Sequence, residues 1–167
     1  MRAVVGLGTN LGDRMQNLQN ALAAIDRVVQ TQVVRCSRVY ESKPYGYTDQ
    51  ADFLNMAAEL ETKLQPEALL GALLGIEAGL GRVRTIKNGP RVIDLDLLSW
   101  EGVTSDTPFL RLPHPGLWNR SFVLLPLADL YPNGNALGVE FAQAARALPK
   151  DDIRLFADRV PVFGNED

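Results

Sequence analysis

The decapeptide Phe53-Leu54-Asn55-Met56-Ala57-Ala58-Glu59-Leu60-Glu61-Thr62 decides the fold, because it admits two readings. Its Met-Ala-Ala-Glu-Leu centre is made of good helix formers. Alternation through Phe53, Asn55 and Ala57 instead sets side chains on one face of a strand. We read it as a strand. Working backwards, Ser42-Lys43-Pro44-Tyr45-Gly46-Tyr47 is a loop by its Pro and Gly. Val28–Tyr40, rich in β-branched residues with Gln30, Gln32 and Arg35 solvated, reads as a strand. Asp13 caps a helix running to Arg27, with Leu18, Leu22 and Ile25 on one face. Arg2–Gly8 is a short buried strand that ends in the turn Gly8-Thr9-Asn10-Leu11-Gly12.

Working forwards, Gln65–Gly79 is a helix with Pro66 in its first turn, an apolar face of Leu69, Leu70, Leu73 and Ile76, and Gly79 and Gly81 to end it. A basic loop leads into a strand over Val92–Trp100. Pro113-His114-Pro115 breaks the chain, Ser121–Leu130 and Val139–Leu148 read as helices, and the last residues are polar and loose. The order β-α-β-β-α-β followed by helices predicts an α+β, ferredoxin-like antiparallel sheet with helices packed on it, plus C-terminal helices. At 167 residues, 46% hydrophobic and 22% charged, the expectation is one soluble domain over 1–167.

Composition excludes several functions. No apolar run reaches the roughly 20 residues of a membrane helix, and the apolar start is too short for a signal peptide. We therefore expect a cytoplasmic protein without a membrane partner. One Cys36 and one His114 leave no internal disulfide and no multi-histidine zinc site. A divalent metal must sit mainly on oxygen, as Mg²⁺ does. With a net charge of −3 and a pI near 5.2, no positive field exists for general nucleic-acid binding.

Charge is unevenly spread. Arg82, Arg84, Lys87 and Arg91 lie in one stretch without an acid, and Asp94 and Asp96 follow at once. On a strand both carboxylates face one way, about 6–7 Å apart, while Ile93, Leu95 and Leu97 face the other. Two such acids repel unless a cation lies between them, although a pair of surface acids on a solvated edge would look the same. Arginines beside them supply donors for phosphate oxygens. A cationic loop feeding a carboxylate pair points to a metal–polyphosphate site. No Walker cradle exists, and Gly6-Leu7-Gly8-Thr9-Asn10-Leu11-Gly12 is one residue too long for a dinucleotide fingerprint.

Gly81-Arg82-Val83-Arg84 followed by Gly89-Pro90-Arg91-Val92-Ile93-Asp94-Leu95-Asp96 closely resembles the signature of the 6-hydroxymethyl-7,8-dihydropterin pyrophosphokinases. The likeness extends from about Val5 to Pro126, through the Gly6–Gly12 segment, Pro44, Gly46, Phe53-Leu54-Asn55, Glu77, Leu112-Pro113-His114-Pro115, Asn119-Arg120 and Phe122. The resemblance implies Mg-dependent transfer of pyrophosphate from ATP to a pterin hydroxymethyl group, releasing AMP, in folate biosynthesis. It implies that Asp94 and Asp96 hold two Mg²⁺ and that Arg82 and Arg91 are catalytic. Glu77, Arg84, Lys87, His114 and Arg120 fall to ATP. Ser42, Pro44, Tyr45, Asn55 and the stacking pair Phe53 and Phe122 fall to the pterin. A monomer is implied. Asn88, Leu74 and Arg111 depart from residues common in the family. Two other readings stand beside it: a ferredoxin-like nucleic-acid module, and another two-metal phosphotransferase or nuclease built on the same acids.

Overall fold

The structure, a computed structural model, describes residues 1–83 and 86–161. Strand β1 (Arg2–Thr9) leads to helix α1 (Arg14–Asp26), whose first turn is capped by the Asp13 carboxylate accepting from the Gln16 N–H at 3.1 Å. Then come β2 (Thr31–Cys36), β3 (Val39–Ser42), β4 (Phe53–Thr62), α2 (Pro66–Gly79) and β5 (Asp94–Trp100). A small hairpin of β6 (Ser105–Asp106) and β7 (Arg111–Leu112) precedes α3 (Ser121–Leu130). A second hairpin of β8 (Asn135–Ala136) and β9 (Val139–Glu140), α4 (Ala142–Ala147) and β10 (Ile153–Ala157) finish the chain.

The main sheet runs β10-β3-β4-β1-β5, with β2 also on β4, and every pairing is antiparallel. Each of α1 and α2 carries the chain past one intervening strand, the split arrangement expected from the element order. Both sheet faces are covered. Leu18, Leu22 and Ile25 of α1 and Leu69 and Leu73 of α2 pack with Val5, Leu7, Leu54, Met56, Leu95 and Leu97. On the opposite face Val123, Leu124, Leu127 and Leu130 of α3 pack with Val4, Ala57 and Leu98. All of β4 except Glu61 is therefore buried. Double coverage explains why the decapeptide shows little polar alternation and imitates a helix.

Three expectations need correction. Val28–Tyr40 is not one strand: β2 and β3 are separate, and between them Ser37 takes both the Ala57 carbonyl and, through its hydroxyl, the Ala57 N–H. A side chain doing backbone work breaks the ladder there. The helix expected over Val139–Leu148 is shortened to α4, because Val139 and Glu140 belong to a hairpin. The C-terminal residues described are not loose: β10 pairs with β3, and Val160 is buried in the main core.

Candidate active site

At the Thr9 end of the sheet, the α3-side face opens into a cleft. Register alignment puts Gly8 between Asn55 and Asp94, and Gly6 between Ala57 and Asp96. Two glycines thus leave the floor bare between a strand carrying Phe53 and Asn55 and one carrying Asp94 and Asp96. The recess above them is walled by Ser42, Tyr45, Phe53, Asn55, Arg120 and Phe122. Aromatic faces surround a polar rim in which buried Asn55 donates to the Ser42 hydroxyl at 2.7 Å. The Tyr45 and Phe122 rings meet at 6.1 Å and 59°. That composition suits a flat heterocycle with hydrogen-bonding edges.

The second region is cationic. Asp94 accepts from Arg82 on one oxygen and from Arg91 on the other, both at 2.8 Å. Arg82 also pairs with Glu77, and the Arg91 guanidinium lies 5.6 Å from the Phe53 ring centre. Arg120 stands where the two regions join, its guanidinium 5.0 Å from the Tyr45 ring and 5.8 Å from the Phe122 ring. A Cβ on Gly116 would come within 2.8 Å of the Arg120 Cζ, so Gly116 is what lets that side chain lie there. Its Nε is buried without a partner, and among the described residues no carboxylate lies within 4.0 Å of it. A positive charge so placed calls for an anion.

A third recess opens on the other side of the acids, lined by Leu70, Leu74, Phe109, Leu110, Glu77 and His114. Asp94 and Asp96 border all three regions. Burial first, then the neighbouring Asp94 and Glu77 charges, pushes the Asp96 carboxyl up to about 7. Burial also raises Glu77, which accepts from the Leu95 N–H. His114 is lowered, by burial first and by the Arg120 charge second. It accepts the Gly116 N–H on Nδ1, which leaves its proton on Nε2, 3.8 Å from Asp96.

The cleft brings together most of the residues singled out in the sequence: Ser42, Tyr45, Phe53, Asn55, Arg82, Lys87, Arg91, Asp94, Asp96, His114, Arg120 and Phe122 line it. Glu77 is buried at its edge, in the wall of the third recess. Pro44 sits between two lining residues, Lys43 and Tyr45, without lining the recess itself. Arg84 lies outside the described residues. Three residues that the sequence reading did not assign to the site contribute to it. Asn88 borders both the aromatic and the cationic regions. Asn10 and Gln50 hold loops of the cleft together through hydrogen bonds of their side-chain amides, and a lone amide has no telling spacing.

Could a hard divalent ion be held here? Among the described residues no group of three or more metal-binding side chains occurs. Mg²⁺ needs none, since it is bound by one or two carboxylates together with substrate phosphates. The all-oxygen pair Asp94 and Asp96 fits, and the crowding that raises Asp96 is relieved by a cation.

Sheet, helices and three-part cleft define an α+β enzyme domain built around paired acids and arginines. Comparison with known proteins agrees. The chain belongs to the 7,8-dihydro-6-hydroxymethylpterin-pyrophosphokinase (HPPK) family, whose model matches residues 4–132. It is 44% identical over 128 residues to the 2-amino-4-hydroxy-6-hydroxymethyldihydropteridine pyrophosphokinase of Bacillus subtilis, covering 77% of each chain. The enzyme of the same name from Methylorubrum extorquens is 45% identical over 132 residues, covering 79% of this chain and 84% of that one. The folic acid synthesis protein FOL1 of Dictyostelium discoideum is 43% identical, but the match spans only 19% of that longer chain. Among solved structures, an HPPK-DHPS in complex with substrates superposes with a TM-score of 0.66 at 15% identity, covering 87% of this chain and 43% of that one. The Plasmodium falciparum HPPK-DHPS gives 0.62 at 16%, with the same coverage. These structures share the fold.

Proposed function

We propose that this chain transfers pyrophosphate from ATP to the hydroxymethyl group of 6-hydroxymethyl-7,8-dihydropterin, with Mg²⁺, releasing AMP. The observation that carries the reading is convergence: an aromatic recess, a cationic region and a second apolar recess all meet at Asp94 and Asp96. A heterocycle, a triphosphate and a nucleoside would meet at the same place. In this reading Phe53, Phe122 and Tyr45 hold the pterin ring, while Asn55 and Ser42 meet its polar edge. Arg82, Arg91, Arg120 and Lys87 bind the phosphates, and the resemblance assigns Arg84 to the same role. The recess of Leu74 and Phe109, beside His114 and Glu77, takes the adenosine.

Asp94 and Asp96 would hold two Mg²⁺, which when bound neutralise the triphosphate and orient it. The pterin oxygen attacks the β-phosphorus in line as the bond to the α-phosphate oxygen breaks. Arg82 and Arg91 meet the charge that develops. Asp96, which borders the aromatic recess, is the candidate acceptor for the hydroxyl proton. The three recesses come from one chain, so a monomer over residues 1–167 suffices. Incubation with ATP, Mg²⁺ and the pterin, with nucleotides separated chromatographically, tests the whole. AMP formed only with pterin is expected; ADP, or ATP loss indifferent to pterin, overturns the substrate.

A further inference from the structure

Two segments frame the cleft, residues 43–52 on the aromatic side and 86–91 on the cationic side, and they are joined by side-chain amides rather than by charges. The Gln50 side chain donates to the Tyr47 carbonyl at 2.6 Å and to the Asn88 carbonyl at 2.7 Å. Its oxygen accepts from Asn10 Nδ2 at 3.0 Å, which also donates to the Ala51 carbonyl at 2.9 Å. The Asn10 oxygen takes the Arg91 N–H at 2.8 Å, and its backbone N–H reaches the Arg91 carbonyl at 3.0 Å. Apart from the local bond to Tyr47, the side-chain hydrogen bonds of Gln50 and Asn10 connect chain segments remote in sequence.

Contact geometry supports the same link. Asn88 holds φ at 57°, a left-handed conformation that aims its carbonyl and side chain towards the opposite loop. Its amide lies so close to Gly46 that a Cβ there would be 2.7 Å away. Asn10, Gln50 and Asn88 lie outside both apolar core clusters.

Resting on the proposed function, we infer that Gln50 is a positioning residue that couples the two halves of the cleft. An occupant pressing on Tyr45 bears on a loop whose Gln50 grips Asn88, three residues from Arg91. An occupant drawing Arg91 towards phosphates pulls on the same clasp from the other side. Linkage makes such coupling reciprocal.

The test measures Kd for 6-hydroxymethyl-7,8-dihydropterin with and without saturating Mg²⁺–α,β-methylene-ATP, whose α–β bridge cannot be broken, and the converse pair. It uses the full chain, Gln50→Leu and Gln50→Glu. Glu keeps the acceptor for Asn10 and loses both donors. In the unaltered chain each ligand is expected to tighten the other about tenfold or more. In both variants that factor falls to within about twofold of unity, while Kd for the nucleotide alone changes by less than threefold. A role confined to stability would leave the factor intact. A factor retained in Gln50→Glu, or absent from the unaltered chain although both ligands bind, overturns the coupling alone. Failure of the unaltered chain to bind the pterin under any condition overturns the functional reading and the inference with it.

Discussion

Asp94 joins three regions of the cleft while its two oxygens answer two arginines, Arg82 and Arg91, that both precede it in the chain. Removing it leaves Arg82 and Arg91 without that partner and, in the proposed reaction, takes away one of the two carboxylates assigned to the metal. Asp94→Ala is expected to slow AMP formation by at least about 10²–10³-fold, the scale of a lost transition-state electrostatic contact, with pterin binding still measurable by fluorescence. An undiminished rate would remove Asp94 from the chemistry. Asn55 belongs to the other half. Asn55→Ala leaves the buried Ser42 hydroxyl without its donor, and should weaken pterin binding about tenfold, from an unpaired-group cost of about 1–3 kcal/mol, with the affinity for α,β-methylene-ATP unchanged. If both affinities fall together, Asn55 supports the fold rather than the recess. Which of these residues could be found beforehand follows from their spacing. Asp94 and Asp96 announce themselves by alternation, and Arg82 and Arg91 by charge close at hand in the chain. Gln50 and Asn10 meet partners 38 to 81 residues away, and nothing local marks an amide as a clasp.

Among the elements, β4 shows what covering both faces of a strand entails. Its Glu59 is 1% exposed and bonds Arg35 at 2.7 Å and the Tyr131 hydroxyl, with Arg2 at 3.5 Å from its other oxygen. Burial raises this carboxyl, but the Arg35 and Tyr131 hydrogen bonds and the Arg35 and Arg2 charges outweigh it and leave it below its ordinary value. A depressed carboxyl stabilises the fold above its unfolded pKa, about 4.3, and that stability is lost as pH falls through the folded value. Urea unfolding should therefore show the protein losing stability between pH 5 and 3 more steeply than Glu59→Gln, which is itself about 1–3 kcal/mol less stable at pH 7. Parallel pH profiles would show that Glu59 makes no such contribution. Element boundaries were legible where local rules suffice: Asp13 caps α1 and Pro66 opens α2 as read from sequence. They were hidden where a distant partner or an unusual backbone intervenes. Ser37 breaks the second strand only because Ala57 lies opposite it. The β8–β9 hairpin turns through Leu137 at φ 56° and Gly138 at φ 95°, a turn usually signalled by Asn-Gly and here disguised by leucine.

At the scale of the molecule, the question is whether the chain beyond the family match at residue 132 belongs to the same cooperative unit. β10 lies on β3 with Ile153 opposite Ser42, and the Lys43 N–H donates to the Asp152 carbonyl, so this segment braces the strand end that enters the aromatic recess. Two side chains fasten it. Arg154 joins Glu41, which Arg14 also holds while donating to the Asp52 carbonyl just before Phe53. Arg154 is 73% exposed, and such a pair contributes at most about 1 kcal/mol. Val160 is 1% exposed within the core cluster, and truncating it should cost about 2 kcal/mol. Hence Val160→Ala is expected to lower Tm by roughly 4–8 °C, at 2–4 °C per kcal/mol for a chain of this size, and Arg154→Ala by less than about 4 °C, each within a single calorimetric transition. If Val160→Ala leaves the main transition in place and a separate, earlier one appears, the C-terminal segment is a detachable brace. A single shifted transition makes it part of the unit that shapes the recess.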